Sequence, residues 1–286
     1  MPPPERLPAP GVKATGELEE VLAKGELTVV GRIPGASNAV LLCTATYGGA
    51  DVDCVYKPVK GERPLWDFPD GNLARREVAA YLVSEATGWG LVPPTVLRDG
   101  PYGEGMVQQW IESGHRGGEA EAEADGSGLL ALVEGEEAGE GWKPVGFADV
   151  GEGRTALLVH ADDPRLRRLS VLDAVINNGD RKGGHLLPGP DGRLYGIDHG
   201  VSFHVEDKLR TLLWGWAGEP LTDEAQEVLG LLQGRLAAGE ALATRLAELI
   251  TPAELAAVRA RVARLLRTGV HPKPSGQWPA IPWPPV

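Results

Sequence analysis

Cysteine is nearly absent from this chain: Cys43 and Cys54 are the two in 286 residues, too few for a disulfide framework. No apolar run approaches the roughly 18 residues that a membrane span requires, so a transmembrane helix is excluded. The opening MPPPERLPAP has no basic stretch followed by an apolar one, so a secretory signal is not expected and the reading is a cytoplasmic protein. Positive charge is also scarce, with 28 basic against 40 acidic residues and a net charge of −12. A chain of that sign repels phosphate backbones and anionic lipid, so neither nucleic-acid binding nor stable membrane association is expected. Lysine is the rarer base, eight against twenty arginines, and each lysine is correspondingly informative.

The acid is concentrated. Glu112 to Glu140 holds nine carboxylates and one arginine, a net −8 that leaves −4 for everything else. A local basic pocket is therefore compatible with the overall charge. The same segment is rich in Gly, Glu and Ala, and reads as a solvated acidic loop, or around Leu129 to Val133 as a loop with one short helical turn.

Before that segment, short β-rich runs alternate with glycine turns. A helical patch at Glu17 to Ala23 precedes strands at Leu27 to Arg32, Asn38 to Ala45 and Asp53 to Pro58. Gly48-Gly49 forms a hairpin turn whose register sets Cys43 opposite Cys54, and both cysteines read as small buried hydrophobes. Leu73 to Thr87 has the apolar spacing of a helix, stopped by Gly88. Two more strands, Thr95 to Arg98 and Gly105 to Ile111, complete an α+β layer. The second half reads as mostly helical. Asp163-Pro164 opens a helix with the stripe Leu166, Leu169, Leu172 and Ile176. A small hairpin turns through Pro188 to Gly192, and amphipathic helices follow at Thr222 to Leu236, Glu240 to Leu249 and Thr251 to Leu266. The last of these begins with a Thr251…Glu254 capping box. A Pro/Trp tail, residues 271–286, closes the chain.

The chemistry-bearing stretch is Asn177-Asn178-Gly179-Asp180-Arg181-Lys182, a polar loop after a helix. Eighteen residues beyond Asp180, across the hairpin, stands Ile197-Asp198-His199-Gly200. Two carboxylates placed so can serve one site, one handling a proton and the other a metal. Upstream, Lys57 ends a strand and Glu77 lies twenty residues on in the next helix. A strand lysine held by a helix glutamate is how kinases place the α and β phosphates of ATP. The turn Gly35-Ala36-Ser37-Asn38 offers backbone N–H groups to cover those phosphates. Taken singly, Lys57 reads as an edge-strand lysine and Glu77 as a solvated helix charge beside Arg75 or Arg76. Likewise, Asp180 alone reads as a turn residue.

This order of glycine turn, Lys strand, Glu helix, Asn-x-Asp-Arg loop and Ile-Asp-x-Gly resembles the atypical kinases. It is most similar to small bacterial proteins of the phosphatidylinositol 3- and 4-kinase superfamily. The resemblance spans about Leu27 to Phe203. It implies a two-lobed, protein-kinase-like α+β fold, with an antiparallel-sheet N-lobe carrying one helix (residues 1–111) and a mostly helical C-lobe (142–270). An acidic insertion (112–141) and the tail (271–286) complete the division. It further implies that Asp180 orients or deprotonates the acceptor, that Arg181 supports the loop, and that Lys182 neutralises the transferring group. Asp198 would bind the metal, Lys57 and Glu77 would form the ion pair, and Val107, Gln108, Gln109 and Trp110 would be the hinge that meets adenine through its backbone. The family's second metal ligand is an Asn five residues after the catalytic Asp. Here that position is His185, acceptable to Mn²⁺ and poor for Mg²⁺.

The implied activity is ATP-dependent transfer of the γ-phosphoryl group with Mg or Mn. The acceptor is a protein or a small polar molecule, because no polybasic cluster suits a lipid. Two alternatives stand beside it: an ATP-binding pseudokinase, and AMP transfer on the same scaffold. A histidine metal site built from His185, His199, His204 and Asp198 is a further reading that lacks any recognisable ligand spacing.

Overall fold

The computed structural model describes residues 15–34, 38–63, 65–68, 72–112, 128–151 and 153–283. The chain divides into two compact units, residues 1–78 with 93–110 and residues 79–92 with 111–286. Among the described residues no helix is long and apolar enough to cross a membrane.

The first unit is built on one sheet. Strands β1 (Glu26–Arg32), β2 (Leu41–Tyr47) and β3 (Ala50–Pro58) form a meander, and the hairpin of β4 (Thr95–Gly100) and β5 (Gly103–Gln109) adds through β5. The order is β1-β2-β3-β5-β4, antiparallel throughout. Gly48 and Gly49 both adopt positive φ (59° and 84°), the geometry a two-residue hairpin turn requires. That turn sets Cys43 opposite Cys54, as the sequence predicts, and both remain free thiols in the core. Burial pushes the Cys54 thiol up to about 12, so it is unreactive. Helix α1 (Thr15–Lys24) covers the sheet, placing Val21 and Leu22 beside Cys54, Tyr56 and Val107. Burial alternates along β3, and this alternation puts Lys57 on the face opposite Tyr56.

Helix α2 (Leu73–Thr87) has the bounds the periodicity predicts. Its start is fixed from two directions. Asn72 Oδ1 accepts from Arg75 N at 2.8 Å. Glu62, just beyond β3, accepts from Leu73 N and Ala74 N at 3.0 and 2.8 Å. A carboxylate on otherwise orphaned N–H groups also complements the helix dipole.

The second unit contains a sheet that sequence periodicity did not anticipate. Strands β6 (Leu130–Val133), β7 (Trp142–Asp149) and β8 (Thr155–Ala161) pair antiparallel in the order β6-β8-β7. The segment around Leu129 to Val133, read as a solvated loop or a loop with one helical turn, is instead a strand: Leu130 pairs with His160, thirty residues on, and Leu129 and Leu130 are buried in the core. Most of the remaining acidic segment, 113–127, lies outside the described residues. An apolar run such as Thr155–Ala161 carries no periodicity that separates strand from helix.

Helix α3 (Pro164–Ile176) begins at Asp163, whose Oδ1 accepts from Arg165 N at 2.7 Å, with proline in its first turn. Its stripe Leu166, Leu169, Leu172 and Ile176 is fully buried. Beyond it lie the hairpin β9 (Leu186–Pro188) and β10 (Leu194–Gly196), then α4 (Asp223–Arg235), α5 (Ala241–Ala247) and α6 (Pro252–Thr268). The capping box closes at α6, with Thr251 N donating to Glu254 Oε2 at 2.8 Å and Glu254 N to Thr251 Oγ1 at 3.3 Å. Leu229, Val258, Val262 and Leu265 of these helices join Trp216 and the α3 stripe in one core.

Candidate functional site

The polar loop after α3 is organised around a carboxylate that the sequence reading passed over. Asp173 stands on the apolar face of α3 and is fully buried. Its Oδ1 accepts from Arg181 Nη2 at 2.9 Å and Asn178 Nδ2 at 3.0 Å, and its Oδ2 accepts from Arg181 Nε at 2.9 Å. Arg181 is equally buried, so the pair is bidentate and dry. The same guanidinium donates through Nη1 to Ile197 O at 3.0 Å and His185 O at 3.3 Å, and its Nη2 meets His199 Nε2 at 2.6 Å. Arg181 therefore ties together the end of α3, its own loop and the residues flanking Asp198. Gly196 leaves room for it, since a Cβ there would lie 3.0 Å from Arg181 Nη2.

Asn177 caps α3 in the left-handed region, φ 55°, and turns the chain into the loop. Asp180 N then donates to Asn178 Oδ1 at 3.0 Å. The Asp180 carboxylate keeps a quarter of its surface and is flanked by two cations: Arg210 Nη2 donates to Oδ1 at 3.0 Å, and Lys182 Nζ lies 3.5 Å from Oδ2. Asp198 is half-exposed, with Oδ2 3.4 Å from His185 Nε2. It adopts φ 59°, a strained conformation for a residue other than glycine and characteristic of functional positions. Asp180, Arg181, Lys182, His185 and Asp198 all lie within the second unit.

Lys57 and Glu77 lie within the first. Lys57 Nζ donates to Glu77 Oε1 at 2.8 Å; the glutamate is 2% exposed and the lysine 21%. A buried carboxylate thus orients an ammonium that still reaches solvent. Asn38 Oδ1 is engaged by Arg63 N at 2.9 Å, and Gly35, Ala36 and Ser37 lie outside the described residues.

The hinge expected at Val107 to Trp110 needs correction. Val107, Gln108 and Gln109 belong to β5, an interior strand, whose backbone is paired to β3 and β4. Gln109 N donates to Pro94 O and Trp110 N to Asp53 O, both at 2.9 Å, and Gln108 Nε2 donates to Thr95 Oγ1 at 2.8 Å. These amide N–H groups are already satisfied within the sheet and are not open to a purine.

Among the described residues no group of three His, Cys, Asp or Glu is placed to hold a metal ion. His199 is buried against Arg181, so the three-histidine site does not form. Asp198 and His185 are two adjacent donors. By donor chemistry, one carboxylate oxygen and one imidazole suit Mn²⁺ better than Mg²⁺, which takes oxygen ligands.

The sequence assigns no role to Asp173 or Arg210, and it offers Asn178 only as part of the loop motif and His199 only as a metal ligand, not as partners of the Asp173–Arg181 pair. Only Asp173 carried a local signal, a carboxylate on a helical stripe otherwise made of Leu and Ile.

No family model matches the chain. Over 268 residues, 92% of this chain and 94% of the other, it is 53% identical to Protein Rv2133c of Mycobacterium tuberculosis (strain ATCC 25618 / H37Rv). Among solved structures it is similar to the Golgi casein kinase with Mn/ADP bound, with a TM-score of 0.53 and 15% identity over 89% of this chain and 75% of that one. It is also similar to hydra Fam20 with sugar, with a TM-score of 0.48 and 12% identity over 89% and 87% of the two chains. The fold rests on the first of these structures: it is a mixed α+β, kinase-like architecture.

Proposed function

The chain belongs to the family of Protein Rv2133c, and we propose that it is an ATP-dependent phosphotransferase of the atypical-kinase kind, related to the phosphatidylinositol 3- and 4-kinase superfamily. The observation that carries this reading is the Lys57–Glu77 pair, in which a buried carboxylate orients a partly exposed ammonium. Lys57 holds the α and β phosphates of ATP, and Glu77 keeps it in place. Asp198 and His185 would hold Mg²⁺ or Mn²⁺, which when bound neutralises charge on the phosphates. The solved relative with Mn and ADP supports that choice of ligands.

Asp180 orients the acceptor hydroxyl and takes its proton. The acceptor oxygen bonds to the γ-phosphorus, the bond from that phosphorus to the bridging oxygen breaks, and ADP leaves. Lys182, beside Asp180, neutralises charge on the moving group. Arg181 touches no reactant and acts by positioning. Most of the rate comes from placement and fixed charge. The acceptor is a protein or a small polar molecule, and the work is done in the cytoplasm.

ATP binding and turnover with each metal, in wild type, Asp180→Ala and Asp198→Ala, test the proposal. Turnover in wild type that falls at least about a hundredfold in both variants supports it; no ATP binding with either metal overturns it. One observation favours a second reading, an ATP-binding module without turnover: His185 occupies the place of an oxygen ligand. Metal-dependent binding with no labelling of any lysate component would select that reading. AMP in place of phosphate on a labelled product would select nucleotidyl transfer.

A further inference from the structure

The segment after the Asp198 loop, Lys208 to Leu213, has no regular secondary structure, yet its backbone behaves as the middle strand of three. On one side Arg210 N donates to Asn178 O at 3.0 Å, Arg181 N to Arg210 O at 3.0 Å and Leu212 N to Arg181 O at 3.3 Å. On the other, Thr211 N donates to Ala280 O at 3.0 Å. The alternation is that of a strand with a neighbour on each edge, the neighbours being the catalytic loop and the C-terminal tail.

The tail is anchored at both ends. Its root pairs with residues 219–221, through Leu221 N to Gly269 O at 2.8 Å and His271 N to Glu219 O at 2.9 Å. Its far end is held by Trp214 Nε1, which donates to the same Ala280 O at 2.8 Å, and by Ile281, which packs against the core. Midway, the Trp278 ring lies 4.4 Å from Lys208 Nζ. Prolines at 272, 274, 279 and 282 restrict the backbone, which lowers the entropy lost when an extended segment docks.

The clamped segment delivers Arg210 to Asp180 Oδ1. Arg210 Nε is buried with no hydrogen-bond partner among the described residues, so its side chain is held chiefly by its backbone and this one carboxylate.

We infer that the C-terminal tail is a permanent intramolecular strap whose task is to keep Arg210 on Asp180, which makes Arg210 a positioning residue for the acceptor-binding carboxylate. The positioning role rests on the phosphotransferase reading; the strap does not.

The test is amide hydrogen exchange alongside ATP turnover, on the full chain, on a chain ending at Pro274, and on Trp278→Ala/Ile281→Ser in case truncation impairs folding. Loss of the tail should accelerate exchange at Arg181, Arg210 and Leu212 by about tenfold or more. The amides of α3, α6 and the β2–β3 hairpin should keep their protection, and a peptide of residues 275–286 added in trans should restore the lost protection. Unchanged exchange at those three amides overturns the strap. So does uniform acceleration through α3 and α6, which would make the tail an ordinary part of the core. Arg210→Ala should lower kcat at unchanged KM for ATP with the tail still docked, and Arg210→Lys should recover part of the loss; equal activity in all three forms overturns the positioning role. Absence of turnover in wild type would defeat the phosphotransferase reading and the role of Arg210 with it, whereas the strap stands or falls on exchange alone.

Discussion

The two units secure their candidate functional side chains in opposite ways. In the first, Lys57 is ion-paired with the buried Glu77, and its ammonium remains in contact with solvent. In the second, Arg181 is fully buried and bonded to Asp173, His199 and two backbone carbonyls. A group that must meet a ligand has to keep an open face, so it can be held from only one side. A group that shapes the backbone around a ligand can be enclosed completely. The enclosed arrangement is rigid and vulnerable, because removing either partner strands a charge in a low-dielectric interior.

The largest expected effect follows from that vulnerability. Arg181→Met leaves Asp173 buried and unpaired, and should cost about 3–5 kcal/mol in urea unfolding. The double variant Asp173→Leu/Arg181→Met should recover much of the stability without the loop geometry. A loss near zero in the single variant would break the contrast between the units.

Acid should separate the units next. His160 and His271 are buried beside Trp216, with ring centroids 4.2 and 6.1 Å from it. Burial holds both imidazoles down at about 4. His160 Nε2 accepts from Gly215 N at 3.0 Å, a bond that the protonated ring cannot accept. An unfolded histidine takes its proton near 6.5, so unfolding takes up protons between about pH 6.5 and 4. Stability is therefore fully present above that window and is lost as pH falls through it, by up to about 3 kcal/mol for His160 and less for His271. The first unit's residues, 1–78 and 93–110, include no histidine. Exchange measured from pH 7 to 4 should show α3 and β8 losing protection before β2 and β3, and His160→Gln should shrink the difference.

Smaller effects belong to the first unit. Glu62→Ala removes the acceptor for Leu73 N and Ala74 N and should cost about 1 kcal/mol, seen as faster exchange in the first turn of α2. Lys57→Met should cost less stability than Arg181→Met, because the ammonium itself already reaches solvent, although the buried Glu77 loses that partner. Its main cost should fall on ATP affinity, read by calorimetric titration. A Lys57→Met chain as unstable as Arg181→Met would erase the distinction.

Legibility in the sequence follows the same division. The bounds of α2, the caps of α3 and α6, and the Cys43–Cys54 register were all readable, because each rests on contacts a few residues apart. The residues 57, 77, 180, 182, 185 and 198 were named from motif order, and the pairs Lys57–Glu77, Asp180–Lys182 and His185–Asp198 lie within hydrogen-bonding or near-contact distance. The strand at Leu130–Val133 differs from the expected loop or helical turn because its pairing partner lies in β8. That the backbone of Val107 to Gln109 is paired on both sides is a property of the sheet order, which the local pattern does not carry.

The amino-acid sequence by itself determined the local elements, the excess of acid, and the order of the chemistry-bearing residues, since periodicity, capping and turn chemistry act over a few neighbouring positions. Tertiary structure alone decided that Asp173 and Arg181 form the lock of the loop, that Arg210 reaches Asp180 from thirty residues away, and that the Pro/Trp tail lies along Thr211 and Trp214. These are hydrogen bonds and ion pairs that exist only once a shared core has removed their alternatives in water. No local pattern along the chain encodes which distant partner each group will find.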